Sequence, residues 1–174
     1  MKANEVKTNT KLVRQKLPGI QVKTTKGTIK IPEDYQGKWL ILFSYPGDFN
    51  FSCLEEFNVF ARKNEEFKKL NAQLIGFPSD EVICKGKCMR WIKQKLKMNV
   101  PFPIITDCSE GIEGIQGLFH TIKKMRVVSI LDVNGSVQLR IYYPKLINIQ
   151  IDEILQTLKA LQTSKNSNAS IIKN

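Results

Sequence analysis

No apolar run in the 174-residue chain approaches the roughly 18–20 residues that a helix needs to cross a membrane, so no membrane span is expected. Residues 1–17, MKANEVKTNTKLVRQKL, lack the apolar stretch of a secretory leader, and a cytoplasmic location is expected. Histidine is nearly missing: His120 stands alone. Cys84 and Cys88 have a spacing that could open a metal site, but the further ligands that zinc requires are lacking, so no metal is expected. Without a secretory context, the four cysteines (Cys53, Cys84, Cys88 and Cys108) are read as reduced thiols rather than as a disulfide framework. There is no glycine-rich nucleotide loop, flavin motif or CxxCH haem site, and no cofactor is expected.

What the chain does contain is the material of one globular domain: 42% hydrophobic and 25% charged residues, enough to bury a core and too mixed for disorder. Its net charge is +11, from 27 basic and 16 acidic side chains. The lysines run from Lys2 to Lys173 with no basic helix face interleaved with aromatics. A solvated basic surface is therefore expected, and nucleic acid is not expected as a partner.

Apolar periodicity sets out the elements. GTIKI (27–31) alternates at period two and reads as a strand or half a hairpin. Trp39–Phe43 is an uninterrupted apolar run of strand length, which suits a strand covered on both faces. A helix comes next, with a capping box at Ser52 and Glu55 and with Leu54, Phe57, Phe60, Phe67 and Leu70 on one face. AQLIGF (72–77) predicts a second buried strand. Val82, Met89, Ile92 and Leu96 mark a second helix, closed by Val100-Pro101. Val127–Leu131 and Val137–Tyr143 predict a hairpin about a two-residue Asn134-Gly135 turn. Ile151, Ile154, Leu155, Leu158 and Leu161 line a closing amphipathic helix. The order predicts an α/β fold of thioredoxin-like type, a mixed central sheet with helices on both faces. The domain is expected to span residues 1–162, with 163–174 as a polar, flexible tail.

Cys53 is the informative residue. It lies just after a buried strand and a Pro-Gly turn and enters the first turn of a helix, where unpaired N–H groups and the positive end of the dipole favour a thiolate. On location alone, a reactive thiolate and a buried structural cysteine both fit.

The segment YPGDFNFSCLEEF (45–57) resembles the active-site segment of peroxiredoxins, whose core pattern is Pro-x3-Thr-x2-Cys. GTIKIPEDYQGKWLILFSYP, WIKQKLKMNVPFPIITD, MRVVSILDVNGSVQLRIYYP and IDEILQTLKALQ resemble other family segments in the family's order, over about residues 10–162. The PFPII and YYP…DEIL segments are most similar to the one-cysteine branch. The resemblance implies a thiol peroxidase that reduces hydrogen peroxide or small alkyl hydroperoxides. Cys53 would cycle between thiolate and sulfenic acid, Arg126 would favour the thiolate and the departing oxygen, Pro46 would cover the cysteine, and Glu56 would orient arginine.

Three positions depart from the family pattern. Asn50 replaces the threonine, although an amide also donates and accepts. Ser52 stands where valine is usual. Ile149 falls where a second arginine is expected. These departures leave a rival expectation: a degenerate peroxiredoxin serving as a sensor, chaperone-like or binding oligomer. No cysteine lies beyond Cys108, so an external thiol, thioredoxin-like or small, is the expected reductant. Some family members place a resolving cysteine where Cys88 stands, and joining it to Cys53 would require unwinding of the first helix turn. Cys84, Cys88, Cys108 and His120 are read as packing or surface residues. The resemblance also implies a homodimer, paired through the strand ending at Tyr143, or a larger ring.

Overall fold

The computed structural model describes residues 14–45, 51–78, 94, 100–107, 125–144 and 147–171. Their elements, in chain order, are β1 (Ile20–Thr24), β2 (Gly27–Ile31), β3 (Trp39–Tyr45), α1 (Phe51–Lys69), β4 (Ala72–Pro78), β5 (Ile105–Asp107), β6 (Met125–Leu131), β7 (Val137–Pro144) and α2 (Ile151–Ile171). The central sheet has the order β4-β3-β6-β7, and a second sheet has the order β2-β1-β5. β3 runs parallel to β4 and antiparallel to β6, and β6 is antiparallel to β7. This is the expected thioredoxin-like α/β arrangement, a mixed sheet flanked by helices. The second predicted helix lies outside the described residues, apart from Gln94 and Val100.

The unbroken apolar run of β3 has a physical cause. Alternate residues point to opposite faces, and both faces are covered. Ile41, Phe43 and Tyr45 join Phe57, Phe60 and Phe67 of α1 and Ile154 and Leu158 of α2 in one core. Leu40 and Leu42 join Ile29 and Ile31 of β2, with Ile75 and Phe77, in the other. GTIKI is half of a hairpin, paired with β1 from Ile20↔Ile31 to Thr24↔Gly27.

Two local expectations need correction. Helix α1 begins at Phe51, so Ser52 already has helical backbone and cannot be the residue before the helix that a capping box requires. The β6–β7 turn is also longer than two residues. Gly135 N–H donates to Asp132 O (2.9 Å) and Asp132 N–H to Ser136 O (2.9 Å), which leaves Val133, Asn134 and Gly135 as a three-residue loop. A two-residue type I′ turn needs positive φ at both Asn134 and Gly135. Only Gly135 has it (φ +76°), as in a three-residue loop whose last position is left-handed. The Asp132 carboxylate stabilises this alternative by accepting from the N–H groups of Asn134 (2.9 Å) and Ser136 (3.0 Å).

The ends of the helices tie the layers together. Asn71, in the left-handed region (φ +51°), stops α1, and its Nδ2 donates to Gly37 O (2.8 Å). Gln162 Nε2 donates to Leu70 O (2.6 Å), fastening α2 to the end of α1. Helical backbone continues past Gln162 to Ile171. At the other end of the chain, Val137 N–H donates to Gln15 O (3.0 Å), so the segment before β1 covers the start of β7.

At Gly135 an added Cβ would meet Pro32 Cγ at 2.5 Å, on a backbone with φ +76°. Gly135→Ala is therefore expected to cost about 2–4 kcal/mol, from left-handed strain and overpacking together. Gly27→Ala is the comparison, because nothing lies within 4 Å of its Cβ (φ +103°), and it should cost only the strain, about 1–2 kcal/mol. Urea denaturation of the two variants measures the difference.

Candidate active site

Strand β3 delivers the chain to one end of the central sheet, and α1 starts immediately beyond. Cys53 is the third residue of α1, so its main-chain N–H is one of the four at a helix start that lack an intrahelical acceptor. An aromatic cluster holds the next turns of α1 against β3. Phe43 stacks on Phe60 at 4.0 Å between centroids, and Phe57 lies 5.3 Å from Tyr45. The Tyr45 hydroxyl donates to Ile105 O (3.2 Å), which locks the same end of β3 to β5. Such pairs add about 0.5–1.5 kcal/mol each beyond burial and fix ring orientation.

Arg126 enters from β6. The β3–β6 ladder reaches Phe43↔Val128, and Ser44 Oγ extends it by accepting from Val127 N–H (2.8 Å). Arg126 thus stands beside the last residues of β3, although it is almost fully buried. A buried guanidinium needs an anion, and Glu56 supplies it: Arg126 Nη2 donates to Glu56 Oε1. The same Oε1 accepts the main-chain N–H of Ile149 (2.6 Å). Burial pushes the Glu56 carboxyl above its ordinary value, opposed by the Arg126 charge and by hydrogen bonds from Arg126 and Ile149. Among the described residues nothing accepts from the buried Arg126 Nε.

Glu56 also sets the distance to Cys53. Glu56 follows Cys53 by three residues, about one turn along the α1 backbone. The arginine that Glu56 holds is therefore placed one turn from Cys53. Across β7, Tyr143 is the register partner of Arg126. Its hydroxyl donates to Glu153 Oε2 (3.4 Å). Burial, then the Glu153 charge and hydrogen bond, push the phenol up to about 12, while Gln150 N–H and Arg126 act in the opposite sense.

Of the residues singled out by sequence, the structure brings together Arg126, Glu56 and the main chain of Ile149, one helical turn from the backbone of Cys53. Pro46, Asn50, Cys84, Cys88, Cys108 and His120 lie outside the described residues. Glu56 is not an ordinary helix-surface charge, since its side chain is only 4% exposed. Ile149 contributes through its N–H, which side-chain identity does not reveal. Tyr143 and Ser44 were missed as neighbours of the site. Ser44 had a signal, a lone hydroxyl inside the apolar run LILFSY.

An α/β fold of this kind, with a cysteine in the first turn of α1 and a buried arginine–carboxylate pair one turn away, defines a thiol-chemistry protein of the thioredoxin-like class. Comparison with known proteins narrows this. A family model described as the AhpC/TSA family matches residues 13–140. Peroxiredoxin 1 of Caldanaerobacter subterraneus is 45% identical over 157 residues, covering 88% of this chain and 73% of its own. Peroxiredoxin 2 of Sulfurisphaera tokodaii is 45% identical over 163 residues, covering 92% and 77%. Among solved structures, a yeast mitochondrial 1-Cys peroxiredoxin superposes with a TM-score of 0.74 at 28% identity, over 88% of this chain and 78% of that one. The chain belongs to the peroxiredoxin family. It is a thiol-dependent peroxidase, an oxidoreductase that works through a redox-active cysteine. No helix among the described residues is long and apolar enough to cross a membrane.

The buried charges and the raised phenol can each be tested. Glu56→Gln leaves Arg126 buried without its counter-charge and is expected to cost about 3–5 kcal/mol. Replacing both residues by methionine should recover much of that loss, because no charge then remains to be desolvated; urea midpoints at pH 7 measure both. The second test concerns Tyr143, whose phenol is raised to about 12. The folded chain holds that proton more tightly than the unfolded chain. The resulting stability is fully present below the ordinary phenol value of about 10 and disappears as pH rises through about 12. Tyr143→Phe should flatten this alkaline loss, as measured by denaturant midpoints from pH 9 to 12.

Proposed function

We propose that Cys53 is the peroxidatic residue and that the chain is a peroxiredoxin of the one-cysteine type. The observation that carries this reading is the buried Glu56–Arg126 pair, one helical turn along the α1 backbone from Cys53. The Cys53 thiolate attacks the terminal oxygen of a hydroperoxide. An S–O bond forms, the O–O bond breaks, and the departing alkoxide or hydroxide takes a proton to leave as alcohol or water. Sulfur is oxidised to sulfenic acid. The helix N-terminus and the Arg126 guanidinium favour the thiolate and the charge on the leaving oxygen. Pro46 shields the thiol, and Asn50 donates to and accepts from the bound peroxide in place of the usual threonine.

Two thiol groups of an external reductant, a thioredoxin-like protein or a small molecule, return sulfenic acid to thiol through a mixed disulfide, releasing water and leaving as the reductant's own disulfide. The likeness to a yeast 1-Cys peroxiredoxin supports the one-cysteine reading. A reducing compartment, the cytoplasm, suits four free thiols. The working domain is residues 1–162. Its last tie to α1 is the Gln162 amide on Leu70, and the polar stretch 163–174, helical as far as Ile171, is set apart as an extension. The chain pairs as a homodimer, or in a larger ring, through β7, which among the described residues is the edge strand of the central sheet and carries the Arg14–Lys16 segment only at its start, around Ser136 and Val137.

Intact mass after one equivalent of hydrogen peroxide, with a sulfenic-acid trap present, tests the assignment. A trapped adduct within seconds, missing from Cys53→Ser, is the expected result. A loss of two protons, with peptide mapping that joins Cys53 to Cys88, would instead establish an internal resolving cysteine. Persistence of the adduct in Cys53→Ser would move the chemistry to another thiol.

A further inference from the structure

We infer that the main-chain N–H of Ile149 is a positioning group for the peroxidase site, acting through Glu56 on Arg126. This deepens the proposed role of Cys53 and rests on it. Arg126 and Glu56 are both nearly fully buried. A carboxylate there has several lone-pair directions and could turn its fork in more than one way toward a single guanidinium. Ile149 N–H fixes that freedom, because it donates at 2.6 Å to Oε1, the same oxygen that takes Arg126 Nη2. Both donors on one oxygen define where the arginine must stand.

The start of α2 holds this N–H in place. Ile149 lies two residues before Ile151, the first residue of α2, and Ile154 N–H donates to Gln150 O (3.2 Å), so Gln150 is the capping residue of that helix. The Ile149 side chain is itself buried in the core shared by α1 and α2, with Ile151, Ile154 and Phe57. Tyr143, the register partner of Arg126 on β7, donates to Glu153 Oε2 (3.4 Å) in the first turn of the same helix. The start of α2 thus holds both side chains that adjoin Arg126, Glu56 through the Ile149 N–H and Tyr143 through the Glu153 carboxylate. An isoleucine side chain offers no charge to Glu56. The backbone offers a donor that every non-proline residue has, fixed by the start of the closing helix.

Placement of the guanidinium should appear in the chemistry of the thiol more than in the stability of the fold. Ile149→Pro removes the N–H, and an amide-to-ester replacement at residue 149, made with the hydroxy-acid analogue of isoleucine, removes it with the side chain unchanged. Ile149→Val keeps it. The readouts are the midpoint of Cys53 alkylation against pH and the second-order rate constant with hydrogen peroxide. The proline and ester variants are expected to raise the midpoint and slow the peroxide reaction by about 10- to 100-fold, the range of a lost charge-assisted hydrogen bond. The valine variant should stay within about twofold. In a Glu56→Gln background the ester should add less than about twofold, because a group acting through Glu56 has nothing left to position.

An unchanged alkylation midpoint and rate in the ester variant overturns the inference. So does an equal loss in Ile149→Val, which would make the residue a packing element. Failure of the underlying reading is distinguishable: a peroxide reaction that survives Cys53→Ser removes the Cys53 assignment and this inference with it.

Discussion

A guanidinium taken out of water must meet a carboxylate, and in this chain one such pair organises everything around the reactive end of the sheet. Separating Arg126 from Glu56 without solvent would leave an uncompensated charge at a cost of about 3–5 kcal/mol. The pair therefore brings α1 and β6 into a single register. Ser44 Oγ on Val127 N–H, the stacked Phe43 and Phe60 and the Tyr45 contact to β5 all hold the same corner. The chemistry needs a charge kept close to a thiol, and the fold needs that charge neutralised. One carboxylate meets both requirements.

Much of this architecture was legible in the sequence, for identifiable reasons. The run WLILFSY reports a strand covered on both faces, since only double coverage removes the polar alternation. The spacing of Phe57, Phe60 and Phe67, and of Ile151, Ile154, Leu155 and Leu158, gives the two helix faces that meet it, all buried as expected. Boundaries and turns were less legible. Asn134-Gly135 reads as a two-residue turn until the Asp132 carboxylate, which satisfies the N–H groups of Asn134 and Ser136, stabilises a longer loop. Local sequence shows the dipeptide and does not show which competing acceptor will win.

The site divides in the same way. Cys53 could be placed at a helix start because an apolar run and a Pro-Gly turn precede it, and Arg126 could be placed by family resemblance. What the sequence withheld is the contribution of backbone. Ile149 differs from the arginine expected in its place, and side-chain chemistry alone would count it as a loss. Its amide instead donates to Glu56, a role invisible to residue identity because all non-proline residues carry that group. The role of Glu56 was legible through family resemblance and not through the helix pattern, because its burial depends on a strand some 70 residues later in the chain.

That separation has a consequence for how the molecule comes into being. The two bonds on Glu56 join it to partners 70 and 93 positions downstream. Contacts of such long range form only after the intervening chain has been ordered, and each carries a closure entropy that local helix formation does not. During synthesis, Cys53 is made well before Arg126, and Arg126 well before Ile149. Helix α1 can form around an ordinary thiol, and its electrostatic surroundings are completed only when the entrance to the closing helix has been added. The order of the sequence thereby acts as a timer: the corner of the molecule that carries the chemistry is among the last to be finished.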